Sequence, residues 1–264
     1  MEAERVMDNR DAAGIDGARE RQLAFYDEEC DPEFEIARPH NCGRLYQFLI
    51  EYKYQTGLKV LGLDVAGLSV LEVCCGSGMM AEKFARVGAK VTGTDFSPAA
   101  IARARERARR YRFDAAFLVA DAEQLAFADH SFDIVAVHDG LHHLDNPERA
   151  IREMARVARR GVLILDPARA ALTKLAVRLG IAVEVEDAGN PVKRLDPKAV
   201  GTILRGEGFD RIAFRRTLMY YPHEPYGWFE WFDNPLLFFL FSAAFRGVNL
   251  ALGRWGNKLS LAAR

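Results

Sequence analysis

VLEVCCGSGMM, residues 70–80, begins as one kind of structure and ends as another. Val70, Leu71 and Val73 are apolar and suit a strand. Gly76 and Gly78 break the pattern, and Met79, Met80, Ala81 and Phe84 follow at helical spacing. Strand, glycine-rich turn and helix are how a nucleotide-binding α/β domain opens. The spacing Gly76-x-Gly78-x-x-Ala81 also satisfies a dinucleotide-binding fingerprint. The same glycines would serve an ordinary tight turn, so the decision rests on what surrounds them.

From residue 68 onward strand and helix patterns alternate. Strands are predicted at 68–75, 89–95, 114–121, 132–139 and 161–167, with two further candidates at 210–217 and 258–263. The first helix runs from Met79 to Val87 and closes at Gly88. Ser97-Pro98, Asn146-Pro147, Asp196-Pro197 and Asn234-Pro235 each read as an N-cap followed by an N1 proline. Ile151, Met154, Ala155 and Ala158 form an apolar stripe on the helix after Asn146, which Gly161 is expected to end. This alternation predicts one doubly wound, mostly parallel, seven-stranded α/β sheet with helices on both faces. Ligands of such sheets sit beyond the carboxyl ends of the strands.

Composition sets the bounds. Half of the 264 residues are hydrophobic, enough for one sizeable core with an added lid. Lys plus Arg number 36 against 37 Asp plus Glu, so no nucleic-acid partner is expected. Cys30, Cys42, Cys74 and Cys75 contain no C-x-x-C pair, which predicts no metal site and a reducing, cytoplasmic setting. Residues 1–22 are charged, lack an apolar signal-peptide core, and are expected to form a flexible N-terminus.

The residues after each strand carry the chemistry. After the first come Cys74, Cys75, Gly76 and Gly78, where backbone can approach a ligand closely. After the second comes Asp95, able to accept both hydroxyls of a ribose. Asp121-Ala122 follows the third strand and suits an adenine edge. The fourth is followed by "HDGLHHL", residues 138–144.

At this point the sequence resembles a known family. "VLEVCCGSG", "VTGTDFSPAAI", "DAEQLAFADHSFDIVAVHDGLHHLDNPERAIREMARV" and "GVLILDP" are similar to successive motifs of class I S-adenosylmethionine-dependent methyltransferases, above all the small-molecule branch acting in ubiquinone and menaquinone synthesis. The resemblance runs from about residue 68 to 167. It implies a Rossmann-like domain over 68–264, S-adenosylmethionine as cofactor, and methyl transfer to a small-molecule or lipid-like acceptor. It places Glu72 at the methionine amino end of the cofactor, with Gly76 and Gly78 lining methionine and ribose. Asp95 falls on the ribose and Phe96 on the adenine face. Asp121 and Ala122 match the adenine reader, and His138 the backbone contact after the fourth strand. Cys75 stands where the motif often has cysteine. Cys74 replaces a usual glycine, so its Cβ would narrow the cofactor's approach.

A methyl on a sulfonium is already activated, so position counts for most, and a base is needed only if the acceptor must lose a proton. His142 is the first candidate base, with Asp139 as orienter or alternative and His143 beside them. The same His-His pair would equally serve as a cap or packing element.

The flanks leave more open. Residues 23–67 are expected to form a helical lid, with Tyr26, His40 and Tyr46 as lid contacts; helices packed on the sheet are the plainer reading. Residues 223–256 form an apolar helical insertion before the last strand and hold all three tryptophans, Trp228 and Trp231 among them. Arg246 and Asn249 are expected to keep it short of a membrane span. An acceptor lid, a peripheral membrane contact and a homodimer contact are its three readings, beside extra core. The basic run 102–112 reads as a solvated helix face. Two rival functions stand against methyl transfer: an NAD(P)-linked oxidoreductase, disfavoured by the lack of a Tyr-x-x-x-Lys pair, and a non-catalytic binding module.

Overall fold

The structure, a computed structural model, describes residues 30–170 and 193–264, together with Ala24, Asp27 and Thr173. The expected flexible segment 1–22 and Tyr26 lie outside the described residues.

Seven strands form one sheet: β1 Ser69–Val73, β2 Lys90–Asp95, β3 Ala115–Val119, β4 Phe132–His138, β5 Ala158–Pro167, β6 Ile212–Thr217 and β7 Lys258–Ala263. Their order is β3-β2-β1-β4-β5-β7-β6. The first five run parallel, and β7 is antiparallel to both neighbours. The order reverses between β1 and β4, so the switch-point crevice opens over Cys74 and Asp139. An antiparallel β7 wedged between β5 and β6 departs from the all-parallel 3-2-1-4-5-6 order of dinucleotide-binding sheets.

The central strands are buried on both faces, as their Val, Leu, Ile and Ala runs require. On one face lie α5 (Pro147–Val157) and α6 (Pro197–Gly206), with Met154, Leu204 and Leu259 in the core. The other face is covered by α2 (Arg44–Leu61), α3 (Met79–Arg86) and α4 (Pro98–Tyr111), with Tyr54, Phe84 and Ile101 inward. A short α1 (Pro32–Ala37) docks on α4, where buried Arg107 donates to the Ile36 carbonyl at 2.8 Å and to Glu82 at 2.9 Å.

The four predicted caps form, with Ser97, Asn146, Asp196 and Asn234 each accepting from a first-turn amide. One boundary differs. Gly161 does not end α5: the helix stops at Val157 and Ala158 already pairs with Phe132, because β4 and β5 shift register there through a bulge. Strand β1 also stops two residues early, since Cys74 takes a left-handed φ of 52°.

Residues 218–257 leave and rejoin the sheet at one place, since Thr217 and Lys258 are register partners. The segment contains a 3-10 turn, Gly227–Asp233, and α7, Pro235–Leu252. It is tied to α2 at both levels. Asp233 accepts the Arg44 amide at 2.7 Å, capping the helix whose own N-cap, Gly43, has no side chain to do so. Phe48 meets Phe238 and Phe245 edge-on at 5.6 and 5.5 Å. Buried Asn249 closes the far end, accepting from the Leu218 amide at 2.8 Å and donating to its carbonyl at 3.1 Å.

Pro235–Trp255 is long and apolar enough to cross a membrane, with mean hydropathy 1.7, contrary to the expectation that Arg246 and Asn249 would break the span. Asn249 does not interrupt the helix because its amide is spent on Leu218. Crossing is nonetheless opposed by the return to β7 and by the preceding turn on α2.

Replacing Asn249 with leucine leaves the Leu218 amide and carbonyl unpaired. We expect a loss of about 2–3 kcal/mol in stability, read as a melting point lower by several degrees, and a proteolytic cut in 218–257 before global unfolding.

Candidate functional site

Three strand ends meet at Asp95, through its carboxylate and its main-chain carbonyl. The Gly76 amide donates to Asp95 Oδ2 at 2.9 Å and the Ser97 amide to Oδ1 at 3.0 Å. The Cys75 amide donates to the Thr94 carbonyl, and that of Ala120 to the Asp95 carbonyl, both at 2.9 Å. Asp95 is buried, and burial pushes its carboxyl up while the two amides pull it down. Each oxygen keeps a lone pair for a further donor.

The two glycines do different work. Gly76, at φ 52°, has no atom within 4 Å of where a Cβ would stand, so its outer side is open. Gly78, at φ 79°, caps α3, and a Cβ there would lie 3.2 Å from the Phe117 ring. The expectation that both line the ligand therefore suits Gly76; Gly78 is needed for the turn and for packing against β3.

Glu72 points from β1 into this region and is 2 % exposed. Its Oε2 has no hydrogen-bond partner. Burial raises its carboxyl well above 4.5, with Asp95 adding to the shift. A buried acid with one idle oxygen is a ready partner for a cation.

Beyond the strand ends lies a narrow, half-open groove lined by Cys74, Phe96, Asp121, Ala122 and His143 among others. Asp121 is set by its own turn, accepting the Glu123 amide at 2.9 Å. The groove thus gathers residues from the ends of β1, β2, β3 and β4.

A second cluster stands across the switch point. Asp139, at a left-handed φ of 47°, holds Lys53 of α2 at 2.6 Å and Lys258 of β7 at 3.3 Å, and accepts the Tyr221 hydroxyl at 2.5 Å. Despite burial, the two ammoniums hold the Asp139 carboxyl well below its usual range. Burial draws Lys53 down to about 8 against the pull of Asp139. Burial, then Asp139, pushes Tyr221 up. His138 sits 3.7 Å from Asp139, its Nε2 without a hydrogen bond; burial, then Lys53, lowers it well below 6.5 and keeps it neutral.

His142 is placed otherwise. Its Nδ1 lies 2.9 Å from Asp166 Oδ1, while Asp166 Oδ2 accepts the Gly140 and Leu141 amides at 3.1 and 3.0 Å. The pair fixes the turn after β4, and the His142 ring stacks 4.0 Å from that of His143. His40 clamps Glu82 at 3.0 Å, and Tyr46 is fully buried with its hydroxyl on the His223 carbonyl. Trp228 and Trp231 are exposed on the insertion. None of these four lines the groove.

Sequence reading missed Lys53, Lys258 and Tyr221. Lys53 carried a usable signal: in α2 it shares the buried register with Tyr46, Leu49, Ile50 and Gly57, where a charge needs a partner. Among the described residues no group of three or more His, Cys, Asp or Glu is arranged to hold a metal. The four cysteines are free thiols, and burial pushes Cys74 and Cys75 well above 9.

A family profile described as a methyltransferase domain matches residues 71–165. The matched residues run from β1 to β5, so this part of the sheet is similar to a methyltransferase domain. The chain is 32% identical over 136 residues to a demethylmenaquinone methyltransferase of Renibacterium salmoninarum, covering 48% of this chain and 56% of that protein. It is 39% identical over 105 residues to a ubiquinone/menaquinone biosynthesis C-methyltransferase of Bdellovibrio bacteriovorus, covering 38% and 45%. The chain therefore spans about half the length of the curated relatives it matches. Two solved structures share the fold across 94% of this chain: a magnesium protoporphyrin IX methyltransferase of Synechocystis with bound S-adenosylhomocysteine (18% identical, TM-score 0.60, 99% of that chain) and the 4+2 cyclase SpnF (20% identical, TM-score 0.59, 94% of that chain).

The methyltransferase domain should show the idle Glu72 oxygen in its pH dependence. Between 4.5 and its raised folded value, the folded chain keeps a proton that the unfolded chain has released. Stability through Glu72 therefore falls as pH rises across that window. Glu72→Gln removes this loss, so the ligand-free variant should match the parent near pH 4.5 and exceed it at pH 8. Urea melts at both pH values test it; a variant less stable at pH 8 overturns the reading.

Proposed function

We propose that the protein transfers a methyl group from S-adenosylmethionine to a small-molecule or lipid-like acceptor. The observation carrying this reading is the idle buried oxygen of Glu72 beside the open flank of Gly76, in line with the groove at the strand ends. That arrangement fits an adenosyl group joined to a cationic amino acid. In this reading Glu72 takes the ammonium, Asp95 accepts the ribose hydroxyls, Phe96 packs on the adenine and Asp121 with Ala122 reads its edge. An NAD(P) enzyme is disfavoured by the antiparallel β7.

When bound, S-adenosylmethionine supplies an electrophilic methyl on a sulfonium. The chain's own task is to hold the acceptor in line and exclude water. In this reading Lys53, Lys258 and Tyr221, gathered on Asp139, would hold an acceptor oxygen, and neutral His138 beside them would take its proton. His142, engaged by Asp166, positions the turn. The curated relatives are named for quinone substrates, so reduced demethylmenaquinone is the first acceptor to try.

Calorimetry on the purified chain should show binding of S-adenosylmethionine and none of NAD; the opposite result, or no cofactor binding, defeats the proposal. Glu72→Gln should weaken S-adenosylhomocysteine about ten-fold or more through loss of a charged hydrogen bond. Cys74→Gly should keep or improve that affinity, because the left-handed φ and the Cβ both favour glycine there.

With labelled cofactor and a working acceptor, His138→Gln should lower kcat with KM little changed. His142→Gln should mainly lower the melting point. A kcat collapse confined to His142→Gln would return the base role to that residue.

A further inference from the structure

The insertion leaves a large apolar surface uncovered. Leu236, Leu237, Phe239, Leu240, Val248 and Leu250 of α7 are each between 45% and 84% exposed, and Pro235–Trp255 is only 11% buried. At 100° per residue these side chains sweep roughly half the helix circumference. Phe238, Phe241, Phe245 and Asn249 take the opposite side, toward α2 and β6. A soluble monomer rarely shows so continuous an apolar ridge without using it.

Two further observations select the occupant. Pro235–Trp255 contains Arg246 and Arg254 and no carboxylate. Arg246 lies over the Phe48 ring at 5.6 Å and Arg254 over Trp255 at 3.9 Å, and among the described residues neither has a carboxylate partner. Exposed indoles flank the helix, Trp231 before it and Trp255 after it. Guanidinium groups beside an apolar ridge bounded by tryptophans match a bilayer interface, where acyl chains take the ridge, indoles sit at the headgroup level and arginines meet lipid phosphates. A convex ridge apolar over half its circumference suits a soft surface; a two-fold partner copy would touch it along a narrower line.

We infer that α7 docks the protein on the surface of an anionic lipid bilayer, lying in the plane of the interface without crossing it. The strand pair β6–β7 holds both ends of the insertion on the same side, so the apolar face enters the interface while the methyltransferase domain stays outside. The inference stands apart from the methyl-transfer reading, since it concerns a different face and needs no acceptor.

The test is co-sedimentation of the full chain with vesicles of phosphatidylcholine, alone and mixed with phosphatidylglycerol. Binding should be strong only to the mixed vesicles and fall with added salt. Changing Leu236 and Leu240 together to glutamate should reduce partitioning ten-fold or more, with the melting point unchanged. Changing both to phenylalanine should preserve it. Arg246→Gln and Arg254→Gln should each lower it about five-fold on mixed vesicles. No sedimentation with either vesicle overturns the inference. So does a dimer, seen by analytical ultracentrifugation, that the Leu236/Leu240 glutamate variant dissolves while vesicle binding persists, since that assigns the ridge to a second copy.

Discussion

The Asp139 carboxylate is the tie on which the upper half of the molecule depends. Its partners come from three separate elements: Lys53 from α2, Lys258 from β7 and Tyr221 from the start of the insertion. Asp139 is half-buried, but the Lys53 ammonium is buried and needs its carboxylate, so the cluster fixes positions as well as charge. It sets the rotation of α2 about its axis and holds the insertion's entrance against the sheet. It also forces β7 to begin beside the carboxyl end of β4. The left-handed backbone at Asp139 aims its side chain away from the sheet, where all three partners can reach it.

The same constraint separates two kinds of chemistry across the switch point. On one side the Asp95 clamp organises amides for a polar, hydroxyl-rich ligand. On the other, ammoniums and a phenol surround a carboxylate they keep ionised. Between them stands Cys74, a buried neutral thiol whose Cβ has displaced any side chain at Gly140; a Cβ on Gly140 would fall 2.5 Å from it. Cys74 and Gly140 are thus a size-matched pair, one having gained the bulk that the other lacks. The departure from the resembled glycine is accommodated by its neighbour, which explains how the turn keeps its shape.

What could be read in the sequence was what local chemistry determines. Caps followed by proline name helix starts without reference to the rest of the chain, and Ser97, Asn146, Asp196 and Asn234 all serve as read. Buried strands announce themselves as apolar runs, and Asp95 falls at a strand end because β2 stops there. What could not be read depends on partners distant in sequence. Gly161 looks like a helix terminator, yet strand pairing claims Ala158 three residues earlier. His142 reads as a candidate base, and only the fold shows that Asp166, 24 residues away, holds its Nδ1. Lys53 and Lys258 are ordinary lysines until the sheet brings both to one carboxylate. The hydropathy of α7 argues for a span on its own and is overruled by the register of Thr217 with Lys258.

The fold leaves the reaction itself open, since the same architecture is shared by a porphyrin methyltransferase and a cyclase. Within that shared architecture, the insertion is built onto one helix. Residues 218–257 and α2 form a joint aromatic unit, with Tyr46, Phe48, Tyr52, Tyr221, Phe229 and Phe245 packed between them. Tyr221 belongs to that unit and to the Asp139 cluster at once. A shift of the insertion would therefore be felt at Asp139 through one hydroxyl, and a change of charge at Asp139 would loosen the insertion. The apolar ridge and the polar cluster are two ends of one rigid piece.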